Sequence, residues 1–198
     1  MPSDGRKLTP RGRERRQQLL DFATKRFAEH GYHPTSVADI VGGVGVGKGV
    51  FYWYFESKEQ LFLEVLGDAQ RDLRRTQRDA IVDEVDPLRR LELGIRAGFR
   101  WWTGHSDIMN LLQFAATEQQ FRPALRQGQN VTLGDVVTVI KEAIAEGLIR
   151  DTDPDGVAHA VLGLTGHLTR ELVHRRGDDP DEVADLAVSL LFDGLRGR

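Results

Sequence analysis

Two groups of residues in this 198-residue chain have types and spacings that could do chemistry. The first is the run GGVGVGKGVFYWYF at residues 42–55, where Gly42, Gly47 and Lys48 stand at the spacing of a phosphate-cradling G-x-x-x-x-G-K loop. The second is the trio His159, His167 and His174, nitrogen donors of the type that hold zinc. Each group must be judged by the elements that would position it.

A phosphate loop joins a buried strand to a helix. Backbone N–H groups cup the phosphates, the lysine reaches them, and a Ser or Thr hydroxyl after it holds Mg²⁺. Here Gly49 follows Lys48, so that hydroxyl is missing. The preceding stretch places Val37, Ile40, Val41 and Val44 at i, i+3, i+4 and i+7, a helical period, and no strand–helix alternation follows to build a sheet. The histidines fail on distance. At about 1.5 Å rise per residue they lie roughly 10 Å or more apart along one helix axis, too far to share an ion within one chain. They read instead as interface or pocket side chains. Nothing pairs a nucleophile, a base and an orienting group at a readable spacing. No catalytic residue, metal or cofactor is expected, and the chain is read as a non-enzyme.

Composition narrows the class. Apolar residues make up 40% and charged residues 29%, and there is no Cys, which excludes disulfides, thiolate metal sites and thiol nucleophiles. No stretch approaches the roughly 18 uncharged apolar residues of a membrane span. The opening MPSDGRKLTPRGRERRQQ lacks the apolar stretch of a secretory signal, so a cytoplasmic protein with no membrane partner is expected. The net charge of −3 is unevenly spread. Residues 1–60 carry ten Lys/Arg against seven Asp/Glu, whereas 61–198 carry seventeen against twenty-three. A basic head on an acidic body fits local contact with nucleic acid, and a solubilising tail would give the same balance.

Helical periodicity fills nearly the whole chain. A first helix runs from about Arg11 to His30, with Leu19, Leu20, Ala23 and Phe27 on one face and Gly31 ending it. Thr35 and Ser36 open a second, with Asp39 as the acid of a capping box; Gly45 breaks it, and Lys48 to Phe55 form a third. Ser57 with Gln60 opens a fourth, through about Val82. Asp86-Pro87 starts a fifth, to about Thr103, and a sixth follows Ser106 and fades near Gln120. A seventh begins after Pro123, with Leu133, Val136, Val137, Ile140 and Ile144 on one stripe and Gly147 past its end. Asp153-Pro154 starts an eighth, to about Arg176, and Asp179-Pro180 a ninth, to near Leu195.

Within this frame residues 37–55 form a helix-turn-helix. Gly45 permits the left-handed backbone of a tight turn, and Phe51 and Phe55, at i and i+4, can bury against Phe27 and Ile40. Lys48, Gly49, Val50, Tyr52 and Trp53 then face outward, where a short helix can enter a major groove. Tyr52 offers a hydroxyl to a phosphate and a ring to a thymine methyl; Lys58 can take another phosphate. The basic arm, with Arg11, Arg13, Arg15 and Arg16, adds electrostatic attraction. Gly42 and Gly43, late in the second helix, each cost about 1 kcal/mol relative to Ala, so that helix is expected to be soft until DNA orders it.

Residues 19–62, LLDFATKRFAEHGYHPTSVADIVGGVGVGKGVFYWYFESKEQLF, resemble the tetracycline-repressor family of bacterial regulators. Phe27, Gly31, Thr35-Ser36-Val37, Ile40, Gly45-Val46, Lys48-Gly49, Tyr52, Phe55 and Ser57-Lys58-Glu59 carry the likeness. Gly47 stands where the family usually has Ser or Thr, and Val50 where Thr is common. The resemblance implies that Thr35, Ser36, Tyr52 and Lys58 hold phosphates of a double-stranded DNA operator. Lys48, Gly49 and their neighbours would approach base edges. It implies an all-α fold of about nine helices. A helix-turn-helix domain with its basic arm would occupy 1–56, and a helical effector-binding and dimerisation domain 57–198.

The expected activity is that of a homodimeric repressor released from a palindromic site by a small apolar or aromatic effector. Trp101, His105, Met109, Gln113, Phe114, Thr117 and Phe121 are candidates to line the effector pocket. On the fifth helix Leu88, Leu91, Ile95, Phe99 and Trp102 share a stripe, which puts Trp102 in the core and Trp101 toward the pocket. On the eighth, Val157, Val161, Leu164, Leu168 and Leu172 form an inward stripe. The opposite face carries His159, Gly163, Gly166, His167, Arg170 and His174. His159, Gly163, His167, Arg170 and His174, with Leu190 and Leu191 of the ninth helix, are the expected dimer interface.

Overall fold

A computed structural model of the chain describes residues 8–195. The first seven residues of the expected first domain and the last three of the expected second lie outside the described residues. The described elements are all helical. They are α1 (Pro10–His30), α2 (Val37–Val44), α3 (Lys48–Tyr54), α4 (Lys58–Ile81), α5 (Pro87–Thr103), α6 (Ser106–Thr117), α7 (Arg122–Ala145), α8 (Pro154–Leu168) and α9 (Pro180–Leu195). A π-helical stretch, Thr169–Arg176, continues α8.

Side-chain caps set most of the starts. Thr9 Oγ1 accepts from Gly12 N at 3.1 Å. Asp86 accepts from Leu88 N at 2.8 Å, Asp153 from Gly156 N at 3.0 Å, and Asp179 from Asp181 N at 2.8 Å. At α2, Ser36 and Asp39 form the reciprocal capping box. At α4, Ser57 Oγ accepts from Gln60 N at 3.2 Å, while the Gln60 side chain reaches back one residue further, to Glu56 N.

The chain packs as two compact units that are not consecutive in sequence. The first runs through Ala69 and takes in Asn110–Arg122; the second comprises Gln70–Met109 and Pro123 onward. A boundary after residue 56 therefore marks the end of the helix-turn-helix helices, whereas packing adds the first part of α4 and the end of α6 to them. The core of the first unit holds Leu19, Ala23, Phe27, Ile40, Phe51, Phe55, Leu61 and Phe62, all at most 1% exposed.

In the second unit Leu91, Ile95 and Phe99 of α5 pack with Ile140 and Ala143 of α7, Val161 of α8, and Val183, Ala184, Ala187, Leu191 and Phe192 of α9. The α8 stripe Val157, Leu164, Leu168 and Leu172 lies against this cluster, as its periodicity predicts. Arg96 with Asp185 and Arg100 with Asp181 tie α5 to α9 at 2.5 and 2.7 Å.

Two local expectations are corrected. Trp101 is 6% exposed and Trp102 only half-buried, the reverse of their assignment from the stripe. The Trp101 indole donates to Asp72 at 2.8 Å and its ring stacks on His105 at 3.8 Å, a polar partnership that hydrophobic spacing cannot register. The hydrogen bond from Trp101 holds the Asp72 carboxyl below its usual range. The second correction is the eighth helix, which changes winding at Thr169 rather than remaining α-helical to Arg176. A π-helix has more residues per turn, so later side chains rotate away from the face that α-helical spacing assigns them.

Candidate nucleic-acid interface

The turn between α2 and α3 is made by backbone geometry. Gly45 has φ 73° and ψ 36°, left-handed values that L side chains disfavour, and its N–H and that of Val46 close the end of α2 on Gly42 O and Val41 O. Gly43 has a different task. A Cβ there would lie 1.8 Å from the end of the Phe22 ring, so this glycine lets α2 approach α1. Gly42 faces open space.

The short α3 is sealed on one side and bare on the other. Phe51 and Phe55 are buried at 0% and 1% exposure, their rings 5.5 Å apart. Tyr52 and Trp53 are 56% and 55% exposed, Lys48 and Gly49 are exposed, and Val50 is half-buried. All five residues assigned to the reading surface thus share the outer side of α3. The end of α3 falls at Tyr54, which is buried, with Phe55 as its cap.

One assigned phosphate contact is corrected, and a second side chain is engaged within the chain. Thr35 is 1% exposed and its hydroxyl donates to Gly31 O at 2.8 Å, locking the α1–α2 turn, so its side chain does not face a phosphate. The Lys58 ammonium donates to the carbonyls of Tyr32 at 2.9 Å, Thr35 at 2.8 Å and His33 at 3.4 Å, and lies 4.3 Å from the Tyr32 ring centroid. Its three protons are taken by the same turn, and burial lowers its pKa. Ser36 remains exposed, with its hydroxyl shared with Asp39 in the capping box.

Arg11, Arg13, Arg15 and Arg16 fall in the first two turns of α1. Arg13 is exposed and donates to Leu8 O at 2.7 Å. Arg16 pairs with Glu64 and lies 5.3 Å over the Phe55 ring, bracing α1 against the first part of α4.

The candidate effector residues separate between the two units. Trp101, His105 and Met109 belong to the second; Gln113, Phe114, Thr117 and Phe121 belong to the first. Phe121 is 1% exposed, so it is core and not a free lining side chain. With Phe114 it joins an aromatic cluster: Phe121 lies 4.6 Å from Phe62 and 5.3 Å from Tyr32, and Phe114 lies 5.4 Å from Tyr32. His33 meets Glu118 at 3.2 Å, and burial pushes the Tyr32 phenol upward. Tyr32 and His33 went unassigned from sequence, because partners some 80 residues away leave no local signal. Gln113 and Thr117 are exposed.

Of the candidate dimer residues, His159, Gly163, His167 and Arg170 are exposed on α8 and its continuation, and Leu190 is 55% exposed on α9. Leu191 is corrected: at 9% exposure it belongs to the core of its own chain. His174, in the π-helical stretch, is half-buried; its Nε2 is enclosed without a partner, and burial lowers its pKa despite a hydrogen bond with the Trp102 backbone.

An all-helical chain with a glycine turn, a short helix sealed behind and a basic, aromatic outer side defines a helix-turn-helix DNA-binding regulator. Residues 19–65 match the family described as bacterial regulatory proteins, tetR family. The HTH-type transcriptional repressor DhaR of Mycobacterium sp. (strain GP1) is 42% identical over 187 residues, covering 91% of each chain. The HTH-type transcriptional repressor KstR2 of Mycobacterium tuberculosis is 32% identical over 157 residues, covering 76% of this chain and 78% of that one. Its solved structure superposes with a TM-score of 0.70 over 93% of this chain and 96% of its own. The fatty acid degradation regulator FadR of Bacillus halodurans, 20% identical, shares the fold at a TM-score of 0.84 over 98% of this chain and all of that one.

The chain belongs to the TetR family. It is a DNA-binding transcriptional regulator of the repressor type, not an enzyme. Regulators of this family bind DNA operators and small-molecule effectors and form dimers. No helix among the described residues is long and apolar enough to cross a membrane.

Proposed function

We propose that this chain acts as a cytoplasmic homodimer that represses transcription from a near-palindromic operator and is released by a small apolar or aromatic molecule. The observation that carries this reading is α3: Phe51 and Phe55 sealed behind, Lys48, Tyr52 and Trp53 exposed in front. Two such helices in a dimer would enter successive major grooves about 34–36 Å apart. Lys48, Gly49, Val50, Tyr52 and Trp53 supply the reading surface, with Ser36 and Arg13 at its margin. Thr35, Lys58 and Arg16 support that surface from behind, through the α1–α2 turn and the α1–α4 contact.

Release needs a link between effector and reading helices. The packing of Phe114 and Phe121 against Tyr32 and Phe62 supports such a link, because the end of α6 belongs to the same compact unit as α1–α3. α6 also carries Met109, Gln113 and Thr117. An effector that displaces α6 would strain this aromatic cluster, and a coupling of about 1–3 kcal/mol lowers operator affinity 5- to 150-fold. The name of the KstR2 structure, a ketosteroid transcriptional regulator, supports an apolar effector class. The exposed Leu186 and Leu190 support α9 as part of a dimer face.

The test compares two lysines. Operator affinity of the full chain is measured against salt for Lys48→Ala and Lys58→Ala. Lys48→Ala should reduce the magnitude of the salt slope by about 1 and alter base preference. Lys58→Ala should leave the slope unchanged and lower stability by about 2 kcal/mol, the order expected for charged hydrogen bonds. A Lys48→Ala protein with unaltered slope and preference would remove α3 from the interface.

A further inference from the structure

The outer side of α3 carries an unusual set of groups for a reading helix. Paired hydrogen-bond readout in the major groove uses Arg or Lys on guanine, Asn or Gln on adenine, and Asp or Glu on cytosine. Across residues 45–54, the turn and α3, only Lys48 is of these types. What the helix exposes besides Lys48 and Gly49 is aromatic, Tyr52 and Trp53 at 56% and 55%, beside the half-buried Val50. Among the described residues of the first unit, these two are the only large apolar side chains left so exposed. A unit that seals the rest of its aromatic inventory and leaves two adjacent rings bare marks a contact surface. The backbone beside them is bare too, since a Cβ built at Gly45, Gly47 or Gly49 meets no atom within 4 Å.

The thymine C5-methyl is the apolar group that base edges present in the major groove. We infer that this chain reads its operator chiefly through thymine methyl groups, contacted by Val50, Tyr52 and Trp53, with Lys48 reading at most one guanine per half-site. This rests on the assignment of α3 as the DNA-reading helix and specifies the chemical feature that the helix reads. Burial of one methyl against these side chains corresponds to about fourfold in affinity, and to roughly tenfold or more when both half-sites of a dimer site are counted.

The experiment starts from duplexes selected out of a random library by the full chain. The selected duplex is resynthesised with deoxyuridine in place of thymidine, symmetrically in both half-sites, and affinity is measured at fixed salt. The expected result is a loss of roughly tenfold or more at one or more thymine positions per half-site, with no change at flanking thymines. In Val50→Ala and Trp53→Ala proteins, checked for unchanged thermal stability, the thymidine–deoxyuridine difference should shrink at the position each side chain covers. Enrichment of a duplex that binds equally well with uracil throughout overturns the inference and leaves DNA reading by α3 standing. So does loss of binding only when guanine N7 is removed by 7-deazaguanine. Failure to enrich any duplex overturns DNA reading itself, and is thereby distinguishable from the first two outcomes.

Discussion

Single residues on the reading head divide into those that face a partner and those that hold the head in shape, and charge alone does not sort them. Lys48 and Lys58 are both cations near α3, yet the Lys58 ammonium is spent on three carbonyls of the α1–α2 turn while Lys48 is exposed. Glycines divide in the same way. Gly43 is required by the Phe22 ring and Gly45 by its positive φ, but Gly49 lies within a helix and has open space where a Cβ would be. Gly49→Ala is therefore expected to stabilise the free protein by up to about 1 kcal/mol, since nothing inside the molecule needs a glycine there. On the proposed docking of α3 the added methyl would stand between the helix and a base edge, so the same substitution should weaken operator binding. Thermal unfolding and DNA titration of one sample test both halves. A variant that is stabilised and binds undiminished would show that Gly49 does not approach DNA.

At the scale of elements, the informative feature is the membership of Asn110–Arg122 in the unit of α1–α3. Phe121 is 1% exposed among Tyr32, Phe62 and Phe114. Phe121→Ala should cost about 3–5 kcal/mol by removing a buried ring. Phe121→Leu keeps most of the volume and should cost less; chemical denaturation of the two variants tests this. In the second unit Asp72 holds the Trp101 indole, and the depressed carboxyl pKa sets its pH dependence. With the folded pKa below the unfolded value, the contribution is complete above the ordinary carboxylate range. It disappears as pH falls through the folded value. Asp72→Asn should lower stability at neutral pH by about 1 kcal/mol, a charged hydrogen bond discounted for the exposure of its acceptor. The variant and the parent should converge in acid, as thermal scans at several pH values would show.

For the whole molecule, the question is what would add to the affinity of a single helix-turn-helix unit. The chain carries a net charge of −3, so general attraction to DNA is weak, and in the proposed dimer affinity would come from the local surface and from pairing of two heads. Leu186 and Leu190, at i and i+4 on α9, are 44% and 55% exposed, while their neighbours Val183, Ala184 and Ala187 are buried in the core. Replacing both exposed leucines by Glu should give a monomer in sedimentation while leaving the helical content intact. Operator affinity should fall by about 100-fold or more as the second head loses its effective concentration. A double variant that still sediments as a dimer would place the interface elsewhere.

Much of this molecule is written locally. Helix starts were legible because Asp86, Asp153 and Asp179 cap their own next residues, and Ser36 with Asp39 closes a box within one turn. The buried faces of α1 and α8 were legible from apolar spacing, and so was the outer side of α3, since Phe51 and Phe55 at i and i+4 leave Lys48, Tyr52 and Trp53 opposite. Only the tertiary structure decided that Lys58 and Thr35 hydrogen-bond carbonyls of the α1–α2 turn, that Gly43 answers to Phe22, and that Phe121 belongs with Tyr32. Only it decided that the Trp101 indole is held by Asp72 and that His174 is half-buried. The reason is range. Caps and periodic faces are interactions among residues within a turn or two, so their partners stand side by side in the chain, whereas the proton acceptors, rings and close approaches that assign these other side chains arrive from elements that only packing brings near.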